Sequence, residues 1–295
     1  MIPAPFDYLR PATRAEAIAA LRDRGEDAKV LAGGQSLIPL LRLRLAAPTA
    51  LVDISRIEGL RGVHRAGDTL VIGAATSHDE VLRHPLVTEH CPLLAQAVGT
   101  VADPAVRHRG TLGGALAHAD PAGDLPAVAV ALEAQLVLAG PAGERTVPAG
   151  EFFVDYLETV LQQDELLTEI RVPVPGTGWG THYEKFHRVA QAWAIVGVAA
   201  LIRRDGDTIT DARIGLTNMG PTPVRARAVE QALLGTSVHN GGIAAAAEYA
   251  AEGTAPTGDL AAQPDYRRHL ARVLTRRAVE RAAGTRGTAE PVTAG

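Results

Sequence analysis

A chain of 295 residues with 46% hydrophobic and 21% charged residues is long enough for two compact units and has the composition of an ordinary globular protein. Its formal net charge of −4 leaves no electrostatic footprint for nucleic acid or an anionic membrane. Cys91 is the only cysteine, so this chain forms no internal disulfide and cannot alone hold an iron–sulfur cluster on several thiolates.

No Cys/His spacing matches a zinc site, and no metal is expected on this chain. The opening MIPAPFDYLRP lacks a basic segment followed by an apolar run, and no stretch of about 18 apolar residues occurs. A cytoplasmic location is the expectation, without a transmembrane segment though compatible with peripheral membrane contact. Aromatic residues make up only 4% of the chain, so Ala, Val, Leu and Ile must fill the core and an aromatic inside a motif gains interest. Lys29 and Lys185 are the only lysines; arginine supplies the other basic residues.

In chain order, Thr13-x-x-Glu16 predicts a capping box opening a helix to about Arg24, with Ile18 and Leu21 inward and Gly25 as its end. Residues 29–32 read as a short buried strand entering the turn Ala32-Gly33-Gly34-Gln35-Ser36, and Leu37 to Leu45 as a helix. Ala50 to Ile54 is a second strand, giving a β-α-β arrangement. Gly62–His64 and Thr69–Gly73 predict strands around Ala66-Gly67-Asp68, and Ser77-x-x-Glu80 caps another helix. Pro92 to Val101 reads as a helix, followed by a second glycine pair in Thr111-Leu112-Gly113-Gly114-Ala115. Asp124 to Leu132 is helical, Gln135–Ala139 and Arg145–Pro148 form a hairpin, and Leu166–Val172 is a strand.

Residues 173–178, PVPGTG, mark the clearest boundary. Beyond it, three β-like runs (183–189, 195–202 and 208–216) precede helices at about 225–233, 243–251 and 265–283. The last carries Arg267, Arg268, Arg272, Arg276 and Arg277 around an apolar stripe, which predicts a solvated basic face. Residues 286–295 read as a disordered tail.

Glycine permits positive φ and lets backbone N–H groups close on an anionic oxygen, so two glycine pairs could hold the two phosphates of one dinucleotide. Neither pair fits G-x-G-x-x-G or G-x-x-x-x-G-K-[ST], which disfavours a nicotinamide Rossmann domain and a nucleoside triphosphatase. The segments AGGQSLIPLLRLRLA, RGTLGGALAHADPAGDLP and YEKFHRVAQAWAIVGVAA, standing in this order, resemble the FAD-binding medium subunit of molybdenum hydroxylases of the aerobic carbon monoxide dehydrogenase and xanthine dehydrogenase group. The likeness runs from about Pro3 to about Ala283.

The resemblance implies an α+β flavoprotein. Its two-subdomain FAD-binding fold, of the vanillyl-alcohol-oxidase/PCMH-like type, spans residues 1–177 with subdomains of about 1–55 and 56–177. A smaller α+β C-terminal domain over 178–285 has a three-stranded antiparallel sheet plus helices. It implies non-covalent FAD as cofactor and an electron-transfer role from iron–sulfur clusters to a quinone, NAD or O2. The expected partners are a molybdopterin-containing large subunit and an iron–sulfur small subunit, in a dimer of heterotrimers.

The site residues it implies are Ala32, Gly33, Gly34, Gln35, Ser36 and Leu37 on the pyrophosphate, with a second clamp at Thr111, Gly113, Gly114 and Ala115. His118 lies on that loop, Asp124 accepts from sugar or ribityl hydroxyls, Leu167 is an apolar contact, and Lys185 and Trp193 stand near the isoalloxazine. Relatives often carry His where this chain has Gln35.

Bland readings stand beside these. Asp124 could be a helix N-cap before Leu125-Pro126, Trp193 and Leu167 could be core, and Arg107-His108-Arg109 could be a solvated loop or a docking contact. A self-contained flavin oxidoreductase, with His118 or His187 as base, and a flavin-free assembly subunit are the alternative functions.

Overall fold

A computed structural model describes residues 2–285; the predicted tail lies outside the described residues. The chain divides into two compact units, one made of Met1–Asp120 with Glu133–Val174 and the other of Pro121–Leu132 with Pro175–Gly295. By packing, Pro121–Leu132 groups with the second unit rather than with the residues that flank it in the sequence. Its helix, Asp124–Ala131, is buried at every position, which reflects a sequence apolar on all sides apart from its first residue.

In the first unit, Asp7–Leu9, Ala50–Asp53 and Ala28–Leu31 form a parallel sheet with Ala50–Asp53 in the middle. Helix Arg14–Arg24 packs Ala17 and Leu21 into the core beside Val52 and Ile54. Its expected capping box is half present. Thr13 accepts from the Glu16 amide, but Glu16 reaches past Thr13 to the Ala12 amide at 2.7 Å. The second box is complete, with Ser77 and Glu80 satisfying one another's backbone at the start of His78–Arg83.

A five-stranded antiparallel sheet follows the order Val63–Ala66, Thr69–Gly73, Leu166–Pro173, Gln135–Gly140, Gly143–Pro148. Three short helices beginning at proline, Pro85–His90, Pro92–Gly99 and Pro104–Arg107, occupy a region where only one was expected. The reason is local: proline fixes φ at the first helical position and each preceding residue is extended or irregular, so the chain restarts rather than continues.

The second unit is built on an antiparallel sheet of Trp179–Phe186, Val196–Asp205, Thr208–Thr217 and a two-residue edge strand, Val224–Arg225, in addition to the three expected. Alternation along Trp179–Phe186 sends Tyr183 and Lys185 to one face and His182 and Glu184 to the other. Helix Asp124–Ala131 covers the first face. Helix Pro264–Ala282 covers the second, so closely that a Cβ at Gly180 would overlap the Ala282 carbonyl oxygen.

One arginine departs from the expected solvated face of that long helix. Arg267 is 1% exposed, and its guanidinium donates to the Ile195 carbonyl, to the Thr257 carbonyl at 3.1 Å and to Asp259 Oδ2 at 2.7 Å. A planar fork of donors lets it tie two loops together from inside the core.

Candidate functional site

The first glycine turn leaves strand Ala28–Leu31 and enters helix Leu37–Leu43. Gly34 has φ +74°, where only glycine sits without strain. Gly33 does not; its role is close approach, because a Cβ there would overlap the Arg109 carbonyl oxygen and meet Gly110 Cα at 2.7 Å. The two glycine segments are thus packed against one another within the first unit.

Among the described residues, the amide N–H groups of Gly34, Gln35 and Ser36 have no acceptor, and the Ser36 side chain makes no capping bond. Gln35 is exposed and its side chain donates to the Gly33 carbonyl at 3.3 Å. Consecutive unpaired donors on a tight turn make an anion cradle. Ala32 and Leu37, partly buried, flank it.

The second pair behaves differently. Gly113 and Gly114 lie in the first turn of helix Leu112–His118, not in a loop. The Gly113 amide donates to the Ala74 carbonyl at 2.9 Å, Gly114 to Thr111 Oγ1 at 3.1 Å and Ala115 to the Thr111 carbonyl at 3.0 Å. Each of these amides has a protein acceptor among the described residues, so what the segment can offer a ligand is the Thr111 hydroxyl. These glycines serve packing: a Cβ on Gly113 would stand 2.5 Å from Ala74 Cβ. Thr111, as N-cap, accepts through its oxygen and keeps its O–H to donate. His118 ends the helix with Nε2 3.9 Å from Asp120 Oδ2, too long for a hydrogen bond.

The basic triplet before Gly110 is not one patch. Arg107 donates to the carbonyls of Val101 at 2.8 Å and Ala102 at 3.2 Å, while His108 faces Asp79. Beside them His78 is buried, with Nδ1 lacking a partner among the described residues; burial, and then the Arg107 charge, hold its imidazole down at about 4. Leu167 is a core residue of strand Leu166–Pro173, next to the bulge that gives the Thr168 hydroxyl to the Val137 carbonyl at 3.1 Å.

In the second unit, Asp124 opens its helix, but Gly123 is the N-cap. The Asp124 carboxylate instead receives the Tyr183 hydroxyl on Oδ1 at 2.7 Å and the Lys185 ammonium on Oδ2 at 2.8 Å. Burial pushes its carboxyl above the usual range, opposed by Lys185 and Tyr183. Burial, and then the nearby Lys185, lower His187. Trp193 is 55% exposed in the loop between Phe186 and Val196, which removes the reading of it as a sheet-core residue.

The sequence drew attention to Tyr183 beside Lys185 without giving it a role, and did not single out Gly197 or Thr217. Only Tyr183 carried a signal, its position two residues before Lys185 on a strand.

The chain matches the model of the FAD binding domain in molybdopterin dehydrogenase over residues 4–175 and that of the CO dehydrogenase flavoprotein C-terminal domain over 181–282. It belongs to the family of FAD-binding medium subunits of molybdenum hydroxylases. Within that family it is 44% identical over 284 residues to the carbon monoxide dehydrogenase medium chain of Hydrogenophaga pseudoflava, covering 96% of this chain and 98% of the relative. The caffeine dehydrogenase subunit beta of Pseudomonas sp. (strain CBB1) is 39% identical, with 96% of each chain covered.

The solved carbon monoxide dehydrogenase from Hydrogenophaga pseudoflava, lacking the Mo-pyranopterin moiety of the molybdenum cofactor, superposes with a TM-score of 0.94 at 45% identity, covering 97% of this chain and 99% of that one. The α+β fold, an FAD-binding domain followed by a C-terminal flavoprotein domain, is as the family requires.

Proposed function

We propose that this chain is the flavin-carrying electron-transfer subunit of a heteromeric molybdenum hydroxylase. The observation that carries the reading is the run of unpaired amides at Gly34, Gln35 and Ser36, on a turn held in shape by close packing of Gly33. An orphaned set of donors fits a pyrophosphate, and a dinucleotide flavin supplies one.

FAD held here would supply the redox chemistry that links iron–sulfur clusters to an external acceptor. The residues here bind and orient it. The Gly34–Ser36 amides and the Ser36 hydroxyl take the pyrophosphate, with Ala32 and Leu37 beside it. The Thr111 O–H adds a donor, and Leu167 contributes apolar support. Asp124, Lys185 and Trp193, all in the second unit, are the residues we assign to the ribityl and ring portions on the family resemblance.

Partners of this reading are a molybdopterin-containing large subunit and an iron–sulfur small subunit, in a dimer of heterotrimers in the cytoplasm. The external acceptor is a quinone, NAD or O2. The hydroxylated substrate never touches this chain, which fits its likeness to subunits of both a carbon monoxide dehydrogenase and a caffeine dehydrogenase.

The test is reconstitution of the purified chain with FAD. One equivalent should bind, with flavin absorption bands, and acid precipitation should release all the yellow colour. Co-purification from the native source should bring molybdenum- and iron-containing chains. A chain that takes up no flavin would overturn the reading, and one that holds flavin but brings no such partners would make it a self-contained oxidoreductase.

A further inference from the structure

Small residues shape the sheet face under helix Asp124–Ala131. Cross-strand register pairs Lys185 with Gly197 and Gly197 with Thr217; the adjacent row pairs Tyr183 with Ala199 and Ala199 with Gly215. A Cβ at Gly215 would overlap the Ala127 carbonyl oxygen, so the helix lies directly on that strand. A Cβ at Gly197 would overlap the Tyr183 hydroxyl oxygen. The trough therefore has two functions: it lets the helix descend, and it leaves a slot for one phenol beneath the helix's first residue.

The phenol in that slot is 5% exposed, donates to Asp124 Oδ1 at 2.7 Å, and has Thr217 Oγ1 at 3.4 Å. Burial and the Asp124 charge hold its ionisation well above the usual tyrosine value, so it stays a donor. Lys185 occupies the other carboxylate oxygen. With one donor on each oxygen, the carboxylate plane is fixed, and the ammonium is fixed with it. Without the phenol, Oδ1 would be a buried acceptor lacking that donor, free to rotate or take a proton.

We infer that Tyr183 is a positioning residue for flavin binding, which sets the Asp124 carboxylate and, through it, the Lys185 ammonium, in a slot that Gly197 keeps open. This rests on the reading that Asp124 and Lys185 face the flavin.

The experiment is a double-mutant cycle on the full chain, with the FAD dissociation constant, the flavin midpoint potential and the apo-protein melting temperature as readouts. Tyr183→Phe keeps the ring and should weaken FAD binding roughly tenfold, the loss expected for one hydrogen bond to a charged group. It should also move the potential in the same direction as Asp124→Asn. In the Asp124→Asn background the same substitution should cost less than about twofold, because the group it positions has already changed.

An equal cost in both backgrounds would make Tyr183 merely structural and overturn the inference. Wild-type affinity in Tyr183→Phe, with Asp124→Asn impaired, would overturn it too while leaving the flavin site intact. Unchanged binding and potential in both Asp124→Asn and Lys185→Met would instead sink the reading beneath it. If Tyr183→Phe does not fold, Gly197→Ala displaces the hydroxyl without deleting it and takes its place in the cycle.

Discussion

The Lys185 ammonium lies 2.8 Å from Asp124 Oδ2, and both side chains are almost wholly withdrawn from solvent, at 3% and 4% exposure. Removing Lys185 leaves the Asp124 carboxylate buried without this counter-charge, which costs about 3–5 kcal/mol. Lys185→Met should therefore destabilise the apo-protein by that order in urea unfolding. The double variant Lys185→Met/Asp124→Asn should recover much of it, and failure to recover would mean the two charges are not coupled.

On the proposed placement of Lys185 beside the flavin, its pairing with Asp124 limits what the ammonium does there. A lone ammonium a few ångströms away would act with its full charge, but an ion pair presents a dipole whose field falls off faster. Lys185→Met should lower the flavin midpoint potential by only about 20 mV, near 1 kcal/mol for a two-electron couple. Potentiometric titration reads this directly; a shift several times larger would show an unscreened charge.

His78 gives the fold an acid limit. Its imidazole is held at about 4 in the folded chain, against a usual value of 6.5. Between these values the unfolded chain binds the extra proton, so stability is full above about pH 6.5 and is lost as pH falls toward 4. The loss attributable to His78 is about 3 kcal/mol, from 1.36 kcal/mol per unit. Equilibrium unfolding of His78→Gln should show a shallower decline across that window than the parent, and parallel curves would remove His78 as the cause.

The two glycines of the first turn should respond differently to alanine. At Gly34 the backbone lies at φ +74° and the obstructing atom is the flexible tip of Ile38, so Gly34→Ala costs roughly 1–2 kcal/mol. At Gly33 the obstruction is the backbone of Arg109 and Gly110, so Gly33→Ala must push two segments apart. Melting temperature should fall further for Gly33→Ala, with FAD affinity lost, than for Gly34→Ala. The reverse order would mean the turn is not braced against Arg109.

Cys91 is 1% exposed and burial pushes its thiol up to about 12. It should resist thiol reagents in the native chain and react once the chain is unfolded in guanidinium. Fast native labelling would contradict this.

Much of the fold was legible because its signals are local: caps at Thr13 and Ser77, the turn at Gly67, and the continuous apolar run that forms most of Val196–Asp205. The first glycine turn was legible for the same reason. The packing of the second pair was not, because consecutive glycines look alike whether their amides face a ligand or a neighbouring strand; only Ala74, nearly forty residues upstream, shows where the Gly113 amide goes. Asp124 was legible as a polar residue opening a helix. That its carboxylate meets Tyr183 depends on Gly197 and Gly215, whose effect comes from sheet register and leaves no mark on residue spacing. The buried Arg267 shows the same limit, since an arginine on an amphipathic helix looks solvated until its acceptors are placed.

The excursion of Pro121–Leu132 into the second unit bears on how this gene can be cut and recombined. A breakpoint near residue 175, where the two family models part, would strand Asp124 on one polypeptide and Lys185 on the other. The first product would expose a helix apolar on nearly every side, and the second would leave Tyr183 and Lys185 facing solvent. The halves are thus poor modules for exchange between relatives, and a swap that works must carry residues 121–132 along with the C-terminal portion or graft both together.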